Sequence, residues 1–298
     1  MNTIKPLREY IKEAENRGVA IGHFNISNIE ALHGIYNAAK KLSAESGLPV
    51  PIIIGVSEGE EEFIGRREVA ILVKQIREKD DYPIFLNADH HYSFESVKLA
   101  LDEGYDAAII DAVKLPMGEN MTLTKKCVDY AKELGEKEGR DILLEAELGF
   151  IGQSSKLLDA IPEGVSLKTM TAPEDAKKFV EETGIDLLAP SVGNIHGMVK
   201  GGNPKLDIDR IKEIRLTCGV PLVLHGGSGI ANEDFTSAIR AGISIIHINT
   251  EIRVAYKEAL EKFLKENPNE IAPYKILAPA VLAIEDVVYN RLKLFNNL

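Results

Sequence analysis

The chain contains seven histidines, and their placement is uneven. His33 lies inside an amphipathic helical pattern, whereas His23, His90, His91, His196, His225 and His247 fall near the ends of short apolar runs. A single histidine in such a place most often satisfies a loop carbonyl. His90, His196 and His225 come from three different runs with no thiolate nearby. Together they suit zinc with one coordination position left open, as a catalytic site requires. Carboxylates occupy the same run ends: Asp89 precedes His90, Asp111 closes the next run, and Glu145 and Glu147 lie two residues apart on the one after. Asp111 and Glu147 could serve a second metal position or orient a ligand histidine. Glycine turns follow two of the proposed ligands, Gly197-Met-Val-Lys200 after His196 and Gly226-Gly227-Ser228-Gly229 after His225. Backbone N–H groups in such turns can approach an oxyanion, and Ser228 and Lys200 add side-chain donors.

These residues need a scaffold that aims every run end at one place. Runs rich in β-branched residues occupy Val19–Asn25, Val50–Ser57, Ile84–Asp89, Ala107–Ala112, Ile142–Gly149, Leu187–Gly193, Pro221–Gly227 and Ile243–Thr250. After an opening helix, amphipathic segments separate them at Ile29–Leu42, Arg66–Lys79, Ser93–Glu103, Thr122–Lys137, Pro173–Thr183, Ile208–Thr217 and Glu233–Ala241. Ser93, Asp207 and Asn232 are placed as N-caps, and Gly104, Gly184, Gly219 and Gly242 as stops. Regular alternation of this kind predicts a parallel sheet. Eight such units in 298 residues match a closed (β/α)8 TIM barrel, which needs roughly 250. No Gly-x-Gly-x-x-Gly follows the first run to support a dinucleotide fold. Helical patterning over Glu251–Lys265 and Ile271–Leu294 predicts a C-terminal helical extension. With no linker in the chain, residues 1–298 read as one domain. In a barrel of this type the run ends share one rim, where active sites are built.

Composition narrows the partners. Forty-six acidic against 35 basic residues leave a net charge of −11, which argues against nucleic acid because phosphate repulsion would go unopposed. Cys127 and Cys218 form no CxxC, and a reducing compartment is the natural reading. The N-terminal segment is charged and amphipathic, and no apolar run reaches membrane-spanning length. The expectation is a cytoplasmic protein acting on small molecules.

Six segments then carry a resemblance: Gly22-His-Phe-Asn25, Asp89-His90, Glu145-Ala-Glu-Leu-Gly149, Gly193-x-x-His-Gly197, Val223-Leu-His-Gly-Gly-Ser-Gly229 and Asn249-Thr250-Glu251. In this order, over nearly the whole chain, they resemble class II ketose-bisphosphate aldolases. These are zinc-dependent barrels that cleave fructose or tagatose bisphosphate to two trioses. The resemblance implies His90, His196 and His225 as zinc ligands, Asp89 as the acid/base, and Asp111 and Glu147 as an alternate metal position. It places Gly197, Lys200, Gly226, Ser228 and Thr250 around the triose phosphate and its monovalent cation. Asn25, Gly227, His247 and Asn249 join the substrate shell. The implied reaction releases dihydroxyacetone phosphate and an aldehyde from a phosphorylated ketose through a zinc-stabilised enediolate. Asp89 removes the C4 hydroxyl proton. The implied assembly is a homo-oligomer, dimer or tetramer, with the C-terminal helices as its contact surface.

Three departures accompany the resemblance. Where the family has His-Leu-Asp-His, this chain reads Asn87-Ala88-Asp89-His90. Where relatives carry an acid pair in a mobile loop, it reads Gly152-Gln153-Ser154-Ser155-Lys156. Where they carry Asn on the eighth strand, it has His247. Asp159 or Glu163 could replace the lost acid, although both read equally as solvated loop charges. Two other readings therefore stand beside the aldolase: a metal-dependent sugar-phosphate isomerase or epimerase, and a catalytically silent sugar-phosphate-binding protein. Asp89 intact beside His90 favours chemistry over mere binding.

Overall fold

The computed structural model describes residues 4–152, 155–165 and 169–298. Its strands are β1 (Ile21–Asn25), β2 (Ile52–Ser57), β3 (Ile84–His91), β4 (Ala107–Ile110), β5 (Leu143–Leu148), β6 (Leu157–Leu158), β7 (Leu187–Pro190), β8 (Met198–Val199), β9 (Leu222–Leu224) and β10 (Ile243–Ile248). All but β6 and β8 run parallel and close into an eight-membered barrel, with β10 pairing back onto β1. Each apolar run read from the sequence supplies one barrel strand, so the (β/α)8 barrel is the fold.

The helices are α1 (Leu7–Arg17), α2 (Ile29–Ser46), α3 (Glu58–Ile64), α4 (Arg66–Asp80), α5 (Phe94–Asp102), α6 (Met117–Glu138), α7 (Pro173–Thr183), α8 (Ile208–Cys218), α9 (Asn232–Ala241), α10 (Thr250–Glu266) and α11 (Pro273–Phe295). The C-terminal extension is α10 and α11, which pack together, with α11 laid along α2. No helix among the described residues is long and apolar enough to cross a membrane.

The structure differs from the sequence reading at several places. Helix α3 was not expected, yet Ser57 and Glu60 start it with a reciprocal capping box, a Ser-x-x-Glu signal present in the sequence. Helix α6 begins at Met117, directly after Pro116, rather than at Thr122. Thr250 opens α10 instead of ending a strand. Strands β6 and β8 pair in a separate two-stranded sheet, and two residues are too few to show an alternation.

Alternate residues of a strand face the barrel interior. Ile21, Ile53, Phe85, Ala107, Leu143, Leu187, Val223 and Ile245 form one buried cluster there, closed from below by Leu7, Ile11 and Ala14 of α1. The opposite strand faces, with Phe24, Ile54, Leu86, Ala108, Leu144 and Ile246, pack against the helices in the main core. Each large side chain so buried contributes about 1.5–3 kcal/mol. The interior is thereby plugged at one end, and the site lies at the other.

Candidate active site

Moving along the strands from that apolar floor, the inward positions become polar. Ile21 gives way to His23 and Asn25, Phe85 to Asn87 and Asp89, Leu143 to Glu145 and Glu147, Val223 to His225, and Ile245 to His247. All of these polar side chains are buried. His90 falls on the wrong parity to join them. It enters the site because its φ is 52° and the β3–β4 register shifts between Ala88 and His91. A left-handed backbone at a residue with a bulky ring is uncommon and strained. Here it lets consecutive residues, Asp89 and His90, line one cavity. His91 is sent the other way, with Nε2 3.5 Å from Glu61 Oε1.

The three histidines singled out from the sequence converge. One nitrogen from each of His90, His196 and His225 lies within 4.8 Å of the others, and His225 Nδ1 is 3.1 Å from His90 Nε2. Each ring is anchored through its other nitrogen. His90 Nδ1 meets Asp111 Oδ2 at 3.0 Å, His225 Nε2 meets Glu145 Oε1 at 2.7 Å, and His196 Nδ1 meets the Gly152 carbonyl at 2.7 Å. A carboxylate or carbonyl on the outer nitrogen is how ligand imidazoles are aimed at a metal. The donor set therefore fits a divalent metal such as zinc. His90, Asp111 and Glu147 also bring one donor atom each within 4.8 Å, with Glu147 Oε2 3.7 Å from His90 Nδ1.

Charge in the cluster is concentrated on His90. Burial opposes a proton there, but Asp89, Asp111 and Glu147 outweigh burial and push its pKa up to about 10. Burial, reinforced by the His90 charge, holds His196 and His225 down to about 3. Burial likewise raises Glu145 and Glu147 well above the usual carboxylate range. Asp89 is held well below it: burial acts against its charge, but His90, His247 and His23 prevail. The charge on His90 faces two acids held in the charged form, Asp89 and Asp111, and a bound cation would supply positive charge in place of the proton.

The cavity above the imidazoles has a volume of about 200 Å³ and is lined in part by Asn25, Asp89, Gly197, Gly226, Ser228, His247, Asn249 and Thr250. Asn25 Nδ2 donates to Asp89 Oδ2 at 2.7 Å and to Glu60 Oε2 at 3.0 Å, which orients the Asp89 carboxylate. Asn203 Nδ2 donates to the Gly197 and Ser228 carbonyls, tying the two glycine turns together. At Gly226, with φ 63°, a Cβ would stand 2.1 Å from the Ile195 carbonyl oxygen, so only glycine fits this approach.

Not every residue named from the sequence lines the cavity. Lys200 is directed outward, where its Nζ pairs with Asp159 Oδ1 at 2.7 Å. Gly227 packs beneath the site against the His247 carbonyl. Glu163 is exposed, Ser155 lines the cavity, and Ser154 lies outside the described residues. Ser57, Tyr92, Gly152 and Arg253 also line the cavity, and sequence reasoning had not selected them. Two signals could have found more. Glu145 precedes Glu147 by the strand period of two, and Arg253 follows Thr250 by the helical spacing of three.

Comparison with known proteins identifies the family and agrees with the fold. The family model for class-II fructose-bisphosphate aldolase matches residues 5–298. The fructose-bisphosphate aldolase of Geobacillus stearothermophilus is 36% identical over 294 residues, covering 98% of this chain and 96% of the relative. The probable fructose-bisphosphate aldolase of Bacillus subtilis (strain 168) is also 36% identical, over 98% of this chain and 97% of its own. Among solved structures, the YdjI aldolase of Escherichia coli K12 superposes with a TM-score of 0.79 at 29% identity, covering 98% of this chain and 97% of that one. A putative fructose-1,6-biphosphate aldolase from Coccidioides immitis gives 0.78 at 26% identity, over 97% and 95%. Fold and rim thus define an enzyme of the metal-dependent aldolase type. The chain belongs to the class II fructose-bisphosphate aldolase family, and its activity is that of a carbon–carbon lyase.

Proposed function

We propose that this enzyme cleaves a phosphorylated ketose, of the ketose-bisphosphate kind, to dihydroxyacetone phosphate and an aldehyde. The observation that carries the reading is Asp89 lining one cavity with His90 and His196, whose donor nitrogens converge with that of His225 and whose outer nitrogens, like that of His225, are anchored. His90, His196 and His225 would hold zinc. When bound, the metal polarises the ketose carbonyl and stabilises the negative charge that cleavage leaves on the triose half. Asp89 accepts the proton of the C4 hydroxyl as the C3–C4 electron pair passes to the triose half and the aldehyde departs. Asn25 keeps one Asp89 oxygen fixed so that the carboxylate meets that hydroxyl in one orientation. Gly226, Ser228 and Gly197, with the N-terminal turn of α10 at Thr250, offer N–H and hydroxyl donors to the triose phosphate. The enzyme assembles as a homo-oligomer through α10 and α11, where Tyr274 and Leu282 are exposed.

One observation keeps a second reading beside the aldolase: proton transfer alone, as in an isomerase or epimerase. No carboxylate of the described loop residues 155–165 lines the cavity. The zinc-loaded enzyme screened against ketose monophosphates and bisphosphates decides between the two. Triose phosphate release from at least one substrate is expected. Interconversion of sugar phosphates with no triose released overturns the aldolase reading. Replacing His196 by Ala is expected to strip the metal, measured by elemental analysis, and full zinc occupancy in that variant removes His196 from the ligand set.

A further inference from the structure

Three histidine rings stack across the barrel interior. His23 lies on His247 with centroids 3.4 Å apart and planes 4° from parallel, and His247 lies on His225 at 4.0 Å and 21°. His225 and His247 have places in the site, but His23 is fully buried and is not among the cavity-lining residues. It is nevertheless held with care. Asn87 Nδ2 meets its Nε2 at 3.0 Å. Its ring also fills the space over Gly55, where a Cβ would stand 2.1 Å from it. Inward positions of β1, β2 and β3 thus fix one ring that has no direct access to substrate.

That ring bears on Asp89 through His247. His247 Nδ1 is 3.5 Å from Asp89 Oδ1, while Asn25 holds Oδ2 at 2.7 Å. Asp89 Oδ1 has no hydrogen-bond partner among the described residues; His247 Nδ1 faces it, with His90 Nε2 beyond at 3.8 Å. His23, Asp89 and His247 could also be read as a second metal site, since one donor atom of each lies within 4.8 Å of the others. The stacking argues against that. Imidazole lone pairs lie in the ring plane, and two rings 4° from parallel point them side by side rather than at a common ion.

We propose that His23 and His247 form a buried positioning pair for Asp89: His23 sets the plane of the His247 ring, and that ring fixes the free oxygen of the Asp89 carboxylate. The role of Asp89 rests on the aldolase reading, but its placement does not. Displacing a reacting group slightly lowers turnover more than binding.

The test uses His23→Ala, which removes the supporting ring, and His23→Phe, which restores a flat ring without the imidazole nitrogens. In the zinc-loaded enzyme, His23→Ala is expected to lower kcat on the order of 10–100-fold with KM changed by less than about threefold, and His23→Phe to recover most of the loss. The substrate-free measurement is the carboxyl ¹³C resonance of Asp89, assigned by its disappearance in Asp89→Asn. It is expected to move in His23→Ala and to return toward the wild-type position in His23→Phe. An Asp89 resonance unmoved in His23→Ala overturns the proposal, and so does a Phe variant as impaired as the Ala variant. Should the wild-type enzyme cleave no ketose phosphate, the resonance alone decides the positioning role, and the aldolase reading fails separately.

Discussion

The floor and the rim of the barrel are made by the same eight strands, often by residues two positions apart, yet they follow opposite rules. On β3, Phe85 packs into an apolar cluster that α1 seals, whereas Asp89 ends in a cavity beside three imidazoles. The floor is held by contact area, which is non-directional and tolerates similar shapes. The rim is held by named pairs, Asp111 with His90, Glu145 with His225 and Asn25 with Asp89, and buried polar pairs fail when one partner is removed. The rim buries Asp89, Asp111, Glu145 and Glu147 together with the histidines, and Glu60 and Glu61 of α3 are buried beside them. Inside the barrel, apolar contact thus fills one end of the strands and the candidate chemistry occupies the other.

The strongest way to separate the two ends is Asp89→Ala. Turnover on the true substrate is expected to fall on the order of 10²–10⁴-fold, the usual worth of a positioned acid/base, while metal content stays near wild type. Steady-state rates with elemental analysis check this, and wild-type turnover would remove Asp89 from the reaction.

Phe85→Ala, on the same strand, sharpens the contrast from below. Its side chain is buried in the floor cluster, and its truncation is expected to lower stability by about 3–5 kcal/mol. Zinc affinity should change only a few-fold. Urea unfolding and metal titration on one preparation report both quantities, and a large loss of zinc affinity would show that the two ends are coupled.

The smallest effect expected is in pH dependence, and it belongs to the rim alone. In the metal-free protein His90 is raised from 6.5 to about 10, so the folded state holds a proton that the unfolded chain releases earlier. The resulting stability is fully present below about pH 6.5 and declines as pH rises through about 10. The raised Glu145 and Glu147 act in the same direction. Zinc displaces the proton, and urea unfolding at pH 7 and pH 9.5 should show a decline in the metal-free protein that the zinc-loaded protein lacks. Equal declines in both forms would place the proton elsewhere.

Much of this was legible in the chain. Each barrel strand lies in an apolar run, because burial on both faces demands continuous β-branched sequence wherever a parallel strand occurs. Asp89, His90, His196 and His225 stood out because each sits at a run end, a position local spacing reveals. Lys200 did not follow the pattern of its neighbours. Placed by sequence beside a ligand histidine, it turns outward to Asp159, since a long flexible side chain goes to its available counter-charge. Helix α3 and Glu145 were readable from short-range signals, a capping box and a two-residue period. His23 was not, because its meaning lies in Asn87 and His247, far away along the chain.

By itself, then, the sequence determined which elements form and which end of each strand carries polar residues, since both depend on periods of two and 3.6 residues that act locally. Tertiary structure decided which side chains meet. Pairing β10 onto β1 sets His247 opposite His23, and the register shift beside β4 turns His90 toward His225. Closing a ring of strands is a global constraint, and no local spacing records the register in which it closes.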